Sequence, residues 1–234
     1  MLKNYGLDVR QVFSEMMLED AHRSERVQNI YNPENFDRSI TILTSYRTGS
    51  TAFCDALAQA LHYENYDEAF HDAVPDRTQR FLLRQPNDRW VVKIMSNQAR
   101  LHNWQQIQQA MQESYVIRLT RHDVVGQIAS YYICSHTQNW HYQTGVDQNS
   151  YTVSINKELI EISTSYILES NYRLSQFDSP IDAEISYEEL DTLKSRYEKY
   201  HKPANYDEVL AEVKAHYERK LCLKILALTS NDYS

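Results

Sequence analysis

Apolar residues in this chain come in short dense runs separated by longer stretches with helical spacing. Ile40, Ile42 and Leu43 belong to one run, and Trp90-Val91-Val92-Lys93-Ile94-Met95 and Tyr115-Val116-Ile117-Arg118-Leu119 are two more. Ala183-Glu184-Ile185-Ser186-Tyr187 is a shorter one near the end. Runs of this length, rich in Ile and Val, predict buried strands. The intervening pattern predicts helices over Val9–Tyr31, from Ala52 to Tyr63, and over Arg77–Leu83, Asn97–Gln112, Asp123–Ser135, Asn156–Phe177, Glu188–Tyr200 and Tyr206–Leu228. In the first of these, Val12, Phe13, Met16 and Met17 share a face, and Asn32-Pro33 ends it. Ala73-Val74-Pro75-Asp76 reads as a turn. Strands alternating with helices predict an α/β fold with a central parallel sheet flanked by helices on both faces. Ligands of such sheets bind beyond the carboxyl ends of the strands.

With 234 residues, no internal repeat and no low-complexity linker, the chain reads as a single domain over 1–234. Residues 1–38 form an N-terminal helical extension and 39–234 the core. A net charge of −8 argues against nucleic-acid or anionic-membrane partners, so any bound polyanion needs a locally basic pocket. Cys54, Cys134 and Cys222 lie inside apolar helical patterns and read as reduced thiols rather than a disulfide frame. The amino-terminal Met1-Leu2-Lys3-Asn4-Tyr5 lacks an apolar signal core, and no run reaches membrane-spanning length. The expected location is therefore cytoplasmic, with no membrane contact. The 18 tyrosines have no evident physical reason in the pattern.

The most informative chemistry follows the first strand. Ser45-Tyr46-Arg47-Thr48-Gly49-Ser50-Thr51 is a tight loop between that strand and the helix opening at Ala52. A strand–loop–helix junction aims backbone N–H groups and the positive end of a helix dipole at one spot, which suits an anion. Here Arg47 adds a fixed cation, and Ser45, Thr48, Ser50 and Thr51 add hydroxyls. The magnesium-dependent nucleotide loop needs Gly-x-x-x-x-Gly-Lys-Ser/Thr, but this loop has Gly49 alone and no lysine. Arginine grips oxygens bidentately and does not give up its proton. A phosphate or sulfate cradle is the reading, with a plain structural turn as its competitor.

Arg47-Thr48-Gly49-Ser50-Thr51 resembles the 5′-phosphosulfate loop of the sulfotransferases that use 3′-phosphoadenosine 5′-phosphosulfate (PAPS), where Tyr46 stands in place of the family's usual proline. A second segment, Arg121-His122-Asp123-Val124-Val125-Gly126-Gln127-Ile128-Ala129-Ser130, runs from the end of a strand into a helix that Asp123 can cap. Arg121 and Ser130 are positioned to converge on one phosphate; a salt bridge to Asp123 and a buried serine are the structural alternative. This segment resembles the branch of the family that includes trehalose sulfotransferase, and the resemblance implies that Arg121 and Ser130 hold the 3′-phosphate. Ile185-Ser186-Tyr187-Glu188-Glu189-Leu190 is similar to a late structural stretch of the same family. The family's glycine-rich C-terminal phosphate loop has no counterpart here.

The resemblance implies a P-loop-like sulfotransferase fold and in-line transfer of a sulfuryl group from PAPS to a hydroxyl of a carbohydrate or small metabolite. PAP (3′,5′-ADP) is then the product, and no metal takes part. Arg47 and the loop amides would stabilise developing charge. Glu68 is the preferred base on a gapless alignment outward from the loop, with Glu64 and His71 in reserve. Lys93 either points a cation at the sulfuryl group or the acceptor, or forms a salt bridge. His136 and His141 have poor spacing for a shared metal, and no Cys/His cluster has zinc spacing. The competing functions are a small-molecule kinase and a catalytically silent protein that binds nucleotide or a partner.

Overall fold

The computed structural model describes residues 37–71, 75–98, 103–140, 151–177, 180–190 and 202–231. The helix expected over Val9–Tyr31 and most of the one expected over Glu188–Tyr200 lie outside them. The elements are β1 (Ser39–Thr44), α1 (Ser50–Leu61), β2 (Glu64–Asp67), α2 (Pro75–Leu82), β3 (Trp90–Met95) and α3 (Trp104–Gln112), followed by β4 (Ser114–Thr120), α4 (Val124–Thr137), α5 (Lys157–Ser175), β5 (Ala183–Ser186) and α6 (Tyr206–Asn231).

The five strands form one sheet in the order β2-β3-β1-β4-β5, and every pairing is parallel. Within the fully buried strands, alternate residues sort onto opposite faces. Ile40 and Ile42 pack with Val91, Ile117 and the Phe53 and Leu57 side chains of α1. Leu43 faces the other way, against Val92, Ile94, Val116 and the Ile107 side chain of α3. A third cluster joins α4, α5 and α6 through Ile128, Ile160, Ile167, Val209 and Val213. The α/β architecture with helices on a parallel sheet is thus as the sequence pattern predicts.

Boundaries differ in informative ways. β2, Glu-Asn-Tyr-Asp, is a short polar edge strand with an irregular register between Asn65 and Asp67, so no apolar run announced it. Residues 96–98 are a turn and α3 begins at Trp104, not Asn97, because the Ser96 N–H continues to Thr44 O (2.8 Å) and the Gln98 N–H turns back onto Met95 O (2.8 Å). Pro75 opens α2 instead of sitting in a turn, a position where its missing N–H costs nothing. Tyr187–Glu189 is a 3-10 turn with a capping box, in which Ser186 and Glu189 cap each other reciprocally.

β1 lies at the centre, with β3 on one side and β4 on the other. The crossover after β1 runs to the β2–β3 side and the one after β4 runs the other way to β5, so the carboxyl ends of β1 and β4 meet at the switch point where a parallel sheet opens a crevice.

Candidate functional site

The crevice is floored by the loop from Ser45 to Gly49. Arg47 (φ 60°) and Gly49 (φ 74°) are both left-handed, which turns the chain from β1 into α1 within a few residues. Gly49 is the N-cap of α1 and no side chain among the described residues caps that end, so the leading amides of the helix suit an anion.

The loop is braced from below. Gln127 of α4, fully buried, donates from Nε2 to Ser45 Oγ (3.0 Å) and to the Tyr46 carbonyl. Asn171 of α5 donates to Gln127 Oε1 (2.9 Å) and accepts from Ser45 Oγ. Thr48 Oγ1 lies against Thr44 Oγ1 and donates to Ser45 O (3.2 Å). The Ser45 and Thr48 hydroxyls are therefore engaged inside the protein. Gln127 falls within the Arg121–Ser130 segment, but neither it nor Asn171 is legible in the sequence as a loop brace; a buried amide on a helix face gives no periodic signal of its own.

The two predicted motifs meet. Arg47 Nε donates to Ser130 Oγ at 2.9 Å, and its Nη1 donates to Trp140 O at 3.3 Å. Arg121, at the end of β4, donates from Nη1 to the Arg47 carbonyl (3.2 Å) and from Nη2 to Asp123 (3.2 Å). Its guanidinium stands over the Tyr187 ring, 4.6 Å from the centroid. The salt bridge considered for Arg121 thus exists, yet Arg121 Nε is buried with no hydrogen-bond partner among the described residues. Asp123 also caps α4 through the Gly126 N–H at 2.8 Å, as expected. Glu188 accepts from the His122 (3.1 Å) and Asp123 (3.0 Å) amides. Burial pushes its carboxyl up, but these amide donors outweigh that and leave it below the usual carboxylate range.

On the other side of β1, Lys93 is 1 % exposed and its Nζ gathers three partners. It donates to Thr51 Oγ1 (2.8 Å) and pairs with Asp67 (2.9 Å) and Glu68 (2.9 Å). Gln98 Nε2 holds the other Glu68 oxygen at 2.9 Å. Burial opposes the Lys93 charge, but Glu68 and Asp67 together raise its pKa above the ordinary lysine value. Burial likewise raises the Asp67 carboxyl, and Lys93 with Arg77 (2.8 Å) brings it below the ordinary value. The salt-bridge alternative for Lys93 is the one found.

Glu68 therefore stands just beyond the carboxyl end of β2, on the crevice side. Glu64 lies at the opposite end of the same strand, opposite Trp90, where it pairs with Arg80. His71 is half-buried in the turn after Glu68, its N–H bonded to Glu68 O at 3.2 Å.

No group of three or more His, Cys, Asp or Glu side chains suited to a metal occurs among the described residues, and no described helix is long and apolar enough to cross a membrane. No family model matches the chain, and no curated protein matches it either.

Proposed function

We propose that this chain is a PAPS-dependent sulfotransferase acting on an alcohol, with a carbohydrate or small metabolite as acceptor. The observation that carries the reading is the Arg47–Ser130 contact. Two segments singled out separately for anion chemistry come together at the start of α1, at the switch point of a parallel sheet.

The residues present suit the co-substrate. The α1 N-terminus and Arg47 favour the 5′-phosphosulfate by charge and by donor count. Arg121 Nε has no hydrogen-bond partner among the described residues, and Ser130, which accepts from Arg47, retains its own proton to donate. Those two groups suit the 3′-phosphate.

In-line transfer breaks the bond between sulfur and the bridging phosphate oxygen and forms one between sulfur and the acceptor oxygen. The acceptor's proton goes to Glu68, and the electron pair of the broken bond leaves with 3′,5′-ADP. Positioning and charge stabilisation supply most of the rate, as in phosphoryl transfer. Glu68 retains lone pairs for the proton while Lys93 and Gln98 fix both of its oxygens.

The test is thermal stabilisation by 3′,5′-ADP without magnesium, followed by turnover of labelled PAPS against sugars and phenols. A rise in Tm with 3′,5′-ADP and label in an organic sulfate support the proposal. Stabilisation only by Mg-ATP would replace it with the kinase reading. Binding of 3′,5′-ADP with no transfer or hydrolysis would leave a nucleotide-binding protein.

A further inference from the structure

Tyr46 takes the loop position that the resembling family fills with proline, and its side chain forms contacts proline has no means to make. Its carbonyl is fixed in the cradle by Gln127, while its ring packs edge-on to Tyr131 (5.6 Å between centroids) and against Tyr166 (5.2 Å). The hydroxyl reaches Asn97 Nδ2 and lies 3.3 Å from the Tyr166 hydroxyl; Asn97 Nδ2 is also 3.1 Å from Tyr166. The residue after Asn97 is Gln98, which holds Glu68. Tyr46 thus spans the interval between the anion loop and the wall carrying the base.

In this cluster the Tyr46 hydroxyl accepts twice, from Asn97 and from Tyr166, and keeps its own proton. The Asn97 amide brings two protons and each phenol brings one. The amide protons serve the two phenolic oxygens, and one phenol donates to the other. The Tyr46 proton then has no acceptor among the described residues. Asn97 Oδ1 does not take it: that atom is buried with no hydrogen-bond partner among the described residues. An unspent phenolic proton between the anion loop and the wall that carries Glu68 calls for an oxygen-rich, electron-rich occupant.

In-line geometry states which part of the occupant that is. The leaving phosphate sits at the loop and the acceptor at Glu68, so the group in flight passes between them. We propose that the Tyr46–Tyr166–Asn97 cluster donates a hydrogen bond to a sulfuryl oxygen of bound PAPS. This rests on the sulfotransferase reading above. Burial first, then the neighbouring Tyr166 hydroxyl, raise the Tyr46 pKa, so the phenol acts as a donor and not as a base. Its role is to hold charge that grows on the transferring group.

The decisive comparison is PAPS against 3′,5′-ADP, because only PAPS carries the sulfuryl group. Dissociation constants would be measured by calorimetry for the full chain, Tyr46→Phe and Tyr166→Phe. Phenylalanine keeps the ring packing and removes the hydroxyl. Tyr46→Phe is expected to weaken PAPS about tenfold, as for a lost hydrogen bond to a charged group, and to leave 3′,5′-ADP within about twofold. Tyr166→Phe should move PAPS in the same direction by a smaller factor. Equal loss of both ligands would make Tyr46 a structural brace and overturn the proposal. So would unchanged affinity for both, and in either case the sulfotransferase reading would stand. Failure of the unsubstituted chain to bind either ligand would overturn that reading and this inference together.

Discussion

Gly49 and Tyr187 are fitted so closely that a Cβ built on the glycine would lie 2.8 Å from the aromatic ring. Gly49 also has a φ of 74°, where an L side chain is strained by about 1–2 kcal/mol. Gly49→Ala should therefore lower stability by about 2 kcal/mol or more from strain and overlap together, about 4–8 °C in Tm. The Gly49→Ala/Tyr187→Ala pair separates the causes in a thermal denaturation cycle. Relief in the double variant measures the overlap, and the residue that no partner change relieves is backbone strain. A Gly49→Ala chain as stable as the parent would contradict the loop geometry.

Arg47→Ala is expected to reduce PAPS turnover about 10²–10³-fold, the range for removing one aimed charge stabiliser, with an unchanged circular dichroism spectrum. Arg47→Lys should recover little. A single ammonium has no way to donate to both Ser130 and the Trp140 carbonyl while gripping an anion in a planar fork. Turnover near the parent level in Arg47→Ala would remove Arg47 from the mechanism.

Arg121→Ala should act on nucleotide affinity and not on the chemical step. The expected rise in the 3′,5′-ADP dissociation constant is about tenfold or more, read by calorimetry. Some loss of stability accompanies it, because Arg121 also donates to the Arg47 carbonyl and covers Tyr187. An unchanged dissociation constant would end its assignment to the 3′-phosphate.

Lys93→Met leaves Asp67 and Glu68 facing one another without their shared cation. Breaking such a buried ion cluster costs about 3–5 kcal/mol. The pH dependence carries a sign. Asp67, held below its usual value, adds stability above the unfolded aspartate pKa of about 3.9 and loses it as pH falls through the folded value. Lys93, held above its usual value, adds stability below about pH 10.4 and loses it as pH rises through the folded value. The parent should therefore hold constant stability from this cluster between about pH 5 and 9. In the variant the main influence lowering Asp67 is gone and burial remains, so urea midpoints should be higher at pH 5 than at pH 7. A flat profile in the variant would show that Arg77 alone suffices to keep Asp67 ionised.

Much of this arrangement was legible in residue order. β1, β3 and β4 announced themselves because central parallel strands, buried on both faces, must be apolar throughout. The loop and the Arg121 helix were legible because left-handed turns and N-caps demand Gly49 and Asp123. β2 was not: an edge strand of four residues pairs through its backbone, and Glu64 and Asp67 form ion pairs rather than burying apolar surface. Lys93 read equally well as a free cation or a paired one. Only the sheet register, which sets it opposite Ile42 and under the first turn of α1, decides for pairing. Tyr46 was legible as part of the anion loop but its side chain's role was not, since its partners Asn97 and Tyr166 arrive from the turn after β3 and from α5, far along the chain.

The central place of β1 has a consequence for how the protein comes to exist. Ile40 finds its neighbours in Val91 and Tyr115, so β1 is completed only by strands that emerge after it. Long-range parallel pairing of this kind closes large loops before it is rewarded, and slows folding. A nascent chain carries Arg47 and its loop long before Arg121, Ser130 or Tyr187 has been made. Anion affinity should therefore appear late and all at once during refolding, which makes ligand-triggered fluorescence a reporter of the last step in assembly.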